Sequence, residues 1–189
     1  PAITPFDSGT PRHHTRLFAH AKSEITVLVN ELFVPPWAAD QFAGSVLDWA
    51  AESGVQEITI LAGIPLPHGP DEHRTYYIAT EDYQETRLAE TDLPAMGHGF
   101  LDGVNASLVG RGIDSDLRVG ILVTPVHAQI PDAEAALRLL DATTDIYALD
   151  VDTTELETFA QEVEQYYQEL ASRLEATDQD HTFEDRMFM

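Results

Sequence analysis

The sequence predicts one α/β domain over residues 1–176, with helices on both faces of a mostly parallel sheet, and an acidic tail over 177–189. Three observations predict it. Short β-branched runs alternate with longer stretches of helical periodicity, the pattern of strands joined by helical crossovers. Apolar residues make up 43% of 189, enough for one core at this length. No run approaches 18 consecutive apolar residues, so no membrane span is expected.

Residues Arg12 to Ala19 follow a Ser-Gly-Thr-Pro turn and read as a strand. Ile25-Thr26-Val27-Leu28-Val29 is β-branched and reads as a buried strand. Pro35 and Pro36 close that segment. A helix is predicted from about Trp37 to Glu52, with Phe42, Val46, Trp49 and Ala50 on one face and Ser53-Gly54 as its stop. Glu57 to Leu61 reads as a second buried strand. This strand–helix–strand unit predicts parallel pairing and a right-handed crossover.

Gly63 to His73 reads as a loop, Arg74 to Ala79 as a strand, and the stretch to Leu93 as polar connection. Gly97 to Gly112 reads as a glycine-opened helix carrying Phe100, Leu101, Val104 and Leu108. Arg118 to Val123 is a third buried strand. Pro131-Asp132 opens a helix with Ala135, Ala136, Leu139 and Leu140 inward. Asp152-Thr153-Thr154-Glu155 resembles a capping box. The helix after it places Leu156, Phe159, Val163, Tyr166, Leu170 and Leu174 inward and ends near Ala176.

Charge narrows the function classes. There are 33 Asp+Glu against 10 Lys+Arg, a formal charge of −23, and Lys22 is the single lysine. The acid is spread along the chain rather than blocked into one interaction tail. Spread acid with almost no lysine predicts a chain built for high salt, where a Debye length of about 3 Å at 1 M screens self-repulsion. The rival is a nucleic-acid mimic or a binder of a polybasic partner. No basic patch is present, so binding of nucleic acid or of an anionic membrane is not expected. The absence of cysteine removes disulfides, thiol catalysis and thiolate zinc sites, and is consistent with a cytoplasmic protein.

Few motifs point to chemistry. The sequence lacks G-x-S-x-G, H-E-x-x-H and a Walker-type G-x-x-x-x-G-K. His68, Asp71 and His73 in the Pro-Gly-rich loop are a candidate metal set, but their spacing matches no established motif. The simpler reading is a structured loop whose histidines bond backbone, so neither metal nor cofactor is expected. His13 and His14 are adjacent and would point to opposite sides of a strand, one of them inward and hydrogen-bonded. Gly97, Gly99, Gly103 and Asn105 form a candidate anion or ligand loop at a helix start, or else allow close helix–sheet packing. They do not form G-x-G-x-x-G after a strand, so the dinucleotide fingerprint fails.

The end of the tail has sharper physical meaning. After a polar, acidic spacer the chain finishes Met187-Phe188-Met189. An apolar–aromatic–any tripeptide with a free carboxylate is a compact ligand: the ring fills a pocket and the carboxylate pairs with a lysine or a nest of amides.

The ordered pieces resemble a known family. They are Arg16-Leu17-Phe18, Val27-Leu28-Val29, the helix with Phe42 and Trp49, and Leu61-Ala62-Gly63-Ile64-Pro65. Next come Gly99-Phe100-Leu101-Asp102-Gly103-Val104-Asn105, then Val119 to Val123, then Ile130-Pro131-Asp132-Ala133-Glu134-Ala135-Ala136 and the helix from Asp152. From Arg12 to Ala176 the chain resembles the proteasome assembly chaperone family in its archaeal form. Gly-x-x-x-Gly-x-Asn and Pro-Asp-x-x-Ala-Ala are the most specific segments.

The resemblance implies a three-layer α/β/α domain like that of purine nucleoside phosphorylases. It implies ATP-independent binding of proteasome α-subunits, help in assembling the α-ring, and a homo-oligomer. It also implies an opening strand and a Gly-rich helix start ahead of this segment, which begins at Pro1. Relatives dock through a C-terminal hydrophobic–Tyr–any motif, and Met187, Phe188 and Met189 match those positions. Phe188 keeps the ring and loses the hydroxyl, and with it one hydrogen bond of about 0.5–1.5 kcal/mol. A binding protein is therefore expected rather than an enzyme. The alternatives are an enzyme using a phosphorylase-like cleft near Gly97–Asn105 and the His68 loop, and a small-ligand regulator without turnover.

Overall fold

In a computed structural model of the chain, residues 3–127, 131–163, 165–167 and 169–170 are described. The strands are β1 (Phe6–Asp7), β2 (Thr10–Pro11), β3 (Thr15–His20), β4 (Ile25–Asn30), β5 (Glu57–Pro65), β6 (Tyr76–Ala79) and β7 (Arg118–Val126). The helices are α1 (Pro36–Glu52), α2 (Glu81–Tyr83), α3 (Gly103–Ile113) and α4 (Ala133–Tyr147), with a further helix over residues 154–163. The α/β class is thus as expected. The strands form three sheets: the pair β1-β2, the pair β3-β4, and a three-stranded sheet in the order β5-β7-β6.

β7 is the middle strand of the third sheet, and its residues from Val119 to Pro125 are buried. Its continuous apolar run is what a strand covered on both faces needs.

The described residues divide into two compact units. One comprises residues 3–58, 79–84 and 97–120, and the other residues 59–78, 85–96 and the described residues from 121 onward. In the first unit α1 packs on α3. Small residues Ala39, Ala43 and Ala50 form the buried stripe of α1, with Phe42, Val46 and Trp49 half-buried beside them. Gly54 ends α1 at φ +70, with Val55 N–H donating to the Ala50 carbonyl and Gly54 N–H to that of Ala51. This double bond is a Schellman stop. In the second unit, Leu122, Leu139 and Ala142 form a buried cluster that Tyr77, Leu93 and Ile146 cover. Asp132 caps α4 by accepting from Ala135 N–H at 2.8 Å.

Several elements differ from the sequence reading. β4 pairs antiparallel with β3 from Thr15↔Asn30 to His20↔Ile25, and lies in a different sheet from β5. The expected parallel β4–α1–β5 unit is therefore absent, and the single mostly parallel sheet is replaced by three smaller ones. The reason is local: Ala21 to Glu24 is a polar turn with Glu24 at φ +53, and it folds β4 back on its neighbour. β4 is consequently half-exposed rather than buried.

The polar stretch after β6 contains α2 and a π-turn at Gln84–Leu88, and buries Tyr83 and Leu88. Two apolar residues five apart suit π spacing and escape a 3.6-residue search. α3 begins at Gly103, not Gly97, because Asp102 is extended and Gly103 takes φ +56. Phe100, expected on this helix, lies before it and is fully exposed. Ala136 is also exposed, and Ala133, Ala135, Leu139 and Ala142 carry the buried face of α4. In the last helix Phe159, Tyr166 and Leu170 are exposed, while Leu156, Ala160 and Val163 face inward.

Candidate functional sites: an uncovered hairpin and a histidine cluster

The first candidate surface is the β3–β4 hairpin. Neighbouring residues on a strand point to opposite faces. Leu17 therefore stands on one face, and Phe18 with its cross-strand partner Val27 on the other. All three are about half-exposed. A two-stranded ribbon apolar on both faces is marginal alone in water. The strands themselves carry Arg16 and no acid, although the chain has 33 acids.

The far end of the hairpin is fastened. Thr15 Oγ1 donates to Asn30 Oδ1 at 2.8 Å, Glu31 N–H donates to the His14 carbonyl at 3.0 Å, and Glu31 pairs with Arg12 and Arg16. His14 is the half-buried, hydrogen-bonded member of the His13–His14 pair and His13 is exposed, as the sequence suggested. Beside this end lies a cleft of about 350 Å³ lined by His14, Asn30, Phe33, Pro35 and Phe42 among others. Phe33 and Trp37 are strongly exposed nearby in the chain.

The second candidate is in the other unit. The loop after β5 is held by its own bonds: Gly69 N–H donates to Glu72 Oε2, and Glu72 N–H to the Gly69 carbonyl, each at 3.0 Å. It brings His68 and His73 together, with ring centroids 4.9 Å apart. The end of β7 adds His127, 4.8 Å from His68 and 5.6 Å from His73 between centroids. One ligand atom from each of the three lies within 4.8 Å of the others.

Two of these rings are oriented from behind. His68 Nδ1 lies 2.6 Å from the Leu66 carbonyl oxygen, so Nδ1 carries the proton and donates it. His68 Nε2 is shielded from solvent and has no hydrogen-bond partner. His127 Nδ1 lies 2.8 Å from Asp132 Oδ2, which also accepts from the His127 backbone N–H at 3.0 Å. Burial raises the pKa of the Asp132 carboxyl. The backbone N–H groups of His127 and Ala135, the His127 ring and Arg138 outweigh it, and the carboxyl rests below its ordinary value. Arg138 is itself fixed, donating to Thr124 Oγ1 at 3.1 Å and to the Pro125 carbonyl at 3.2 Å.

The candidate residues read from sequence fare differently. Gly103 and Asn105 lie in the first turn of α3, whereas Gly97 and Gly99 lie in the segment before it. An added Cβ at Gly97, Gly99 or Gly103 would meet open space, so these glycines do not serve close packing. Met187, Phe188 and Met189 lie outside the described residues. In the loop, His68 bonds backbone as the simpler reading held, but Asp71 is exposed and His127 takes the place beside His68 and His73. Sequence reasoning missed His127 because only the fold brings the end of β7 to that loop.

An α/β domain with an uncovered apolar hairpin and no helix, among the described residues, long and apolar enough to cross a membrane is a candidate protein-binding module. The chain belongs to the PAC2 family, whose profile matches residues 1–171. It is similar in fold to Pyrococcus furiosus PbaA, described as an archaeal homolog of proteasome-assembly chaperone, at 16% identity and TM-score 0.81, covering all of this chain and 79% of that one. It is similar to Pyrococcus furiosus PbaB, an archaeal proteasome activator, at 22% identity and TM-score 0.73, covering 89% and 77%. A PAC2 family protein from Streptomyces avermitilis matches at 19% identity and TM-score 0.66, covering 90% and 75%. Comparison with curated protein sequences finds no match.

Proposed function

We propose that this protein is an ATP-independent chaperone or adaptor that binds proteasome α-subunits and assists their assembly in the cytoplasm of a high-salt cell. The observation that carries the reading is membership of the PAC2 family joined to an apolar hairpin left uncovered in the single chain. The similarity to proteins described as a proteasome-assembly chaperone homolog and a proteasome activator supports the choice of partner. The domain is a three-layer α/β/α fold of the purine nucleoside phosphorylase kind, used for binding.

The hairpin's occupant is a second copy of this chain. At −23 overall, two copies repel wherever carboxylates meet, and the acid-free strands β3 and β4 are where they approach without that repulsion. A homo-oligomer then presents several tails at once. Met187, Phe188 and Met189 dock in pockets between α-subunits, with avidity set by effective concentration.

The test is capture of purified α-subunits at molar salt by the whole chain and by a chain lacking residues 187–189. Capture that falls at least tenfold on deletion supports the tail's role, and equal recovery removes it. Failure of the whole chain to capture α-subunits overturns the function.

A further inference from the structure

Three of the chain's eight histidines stand in mutual ring contact at one place in the second unit. We propose that His68, His73 and His127 bind one divalent transition-metal ion of the zinc class, with a fourth position open to water or to a carboxylate from outside.

The spacing of the rings fits. Imidazoles that ligate one zinc through nitrogen at ~2.0–2.1 Å, in tetrahedral directions, place their ring centroids about 5.2 Å apart. The three observed separations are 4.9, 4.8 and 5.6 Å. The ligating nitrogens of such a site are about 3.3 Å apart. The three ligand atoms here lie within 4.8 Å of one another, so small ring rotations complete the geometry.

The protonation pattern fits independently. A ligating histidine holds its other nitrogen as a donor to a carbonyl or carboxylate, which fixes the tautomer and aims the lone pair. His68 does this through the Leu66 carbonyl and His127 through Asp132. The lone pair freed on His68 Nε2 is buried without a partner, an arrangement proteins avoid unless something else takes that place. An ion there satisfies it.

The donor set selects the ion. Three imidazole nitrogens and no thiolate suit Zn²⁺, Co²⁺, Ni²⁺ or Cu²⁺, and not the oxygen-seeking Mg²⁺ or Ca²⁺. Neutral imidazoles leave the ion's charge uncompensated, and the Asp132 carboxylate behind His127 supplies part of the balance. A bound ion ties the loop after β5 to the end of β7 within this unit. Asp132 is a positioning residue, since it acts through His127.

The experiment is titration of the metal-free full chain with Co²⁺, whose visible absorption reports coordination number, followed by competition with Zn²⁺. One ion per chain with tetrahedral bands and micromolar or tighter binding is expected. His68→Ala, His73→Ala and His127→Ala should each weaken it at least a hundredfold, and Asp132→Asn about tenfold. Substitution of His13, His14 and His98, which lie elsewhere, should leave it unchanged. Millimolar binding, or binding that survives loss of all three histidines, overturns the proposal. X-ray absorption of the zinc-loaded unsubstituted chain gives a reading that no folding defect affects: scattering from three imidazoles supports the site, and fewer overturns it.

Discussion

A Cβ added at Gly120 would fall 2.5 Å from Cε1 of Tyr83, so the tyrosine ring fills the volume a side chain on this part of β7 would need. Both residues are completely or almost completely shielded from solvent. The pair anchors α2 to β7 within the first unit. Gly120→Ala should destabilise by about 1–3 kcal/mol through overpacking, and Tyr83→Ala by about 3–5 kcal/mol through the cavity it leaves. Gly120→Ala made in a Tyr83→Ala background should cost much less than it does alone, because the clash is gone. Urea unfolding of the four chains measures this, and simple additivity would refute the contact.

Ala148 ends α4 in the left-handed region, at φ 50 and ψ 48. An L-residue there carries a steric cost of about 1–2 kcal/mol, which glycine avoids at some expense in unfolded-state entropy. Ala148→Gly should therefore raise stability, by about 0.5–1 kcal/mol net. A lower denaturation midpoint would contradict the assignment.

Asp152 accepts from Thr154 N–H at 3.0 Å at the start of the last helix. Hydrogen bonding from the Thr154 hydroxyl, then from its backbone, holds the carboxyl below its ordinary value. The folded-state pKa is depressed, so the stabilisation is present above the ordinary carboxylate range and is lost as pH falls through the lower folded value. Carboxyl-carbon NMR should show Asp152 titrating below the unhindered aspartates. Thr154→Ala should move it upward, since the hydroxyl bond is the larger cause.

The hairpin should behave as an interface between copies. Phe18→Asp and Val27→Asp place carboxylates on the face where Phe18 and Val27 pair across strands. Each should shift the chain toward monomer in light scattering at molar salt, with the far-UV circular dichroism retained. An unchanged mass in both variants would remove the hairpin from the interface.

Metal loading should also appear in stability. An ion that binds the folded chain alone, at a hundredfold excess over its dissociation constant, adds about 2.7 kcal/mol. Zinc should raise the melting temperature of the unsubstituted chain and leave that of His127→Ala unmoved.

The regular elements were legible where periodicity is strong. The periodicity gives α1 to within a residue, with its Ser53-Gly54 stop, and the apolar run from Val119 to Val123 marks β7. α2 and the π-turn were not legible, because Tyr83 and Leu88 are isolated apolar residues in polar surroundings. The sequence pattern starts α3 six residues before its true beginning, because Phe100 and Leu101 mimic a helical face while Asp102 is extended. Two of the three histidines of the cluster are visible as His68 and His73 in one loop, but nothing in the spacing distinguishes His127 from the other histidines.

By itself the sequence determined the α/β class, the acidity of the surface and the family, since each depends on composition or on segments that carry their own pattern. Only the tertiary structure decided that β4 turns back on β3 rather than entering a parallel sheet, and that His127 joins His68 and His73. Both are matters of which distant segments meet. Strand pairing is a competition between partners that the strand's own residues do not resolve. A three-histidine cluster exists only once the loop after β5 and the end of β7 occupy the same space.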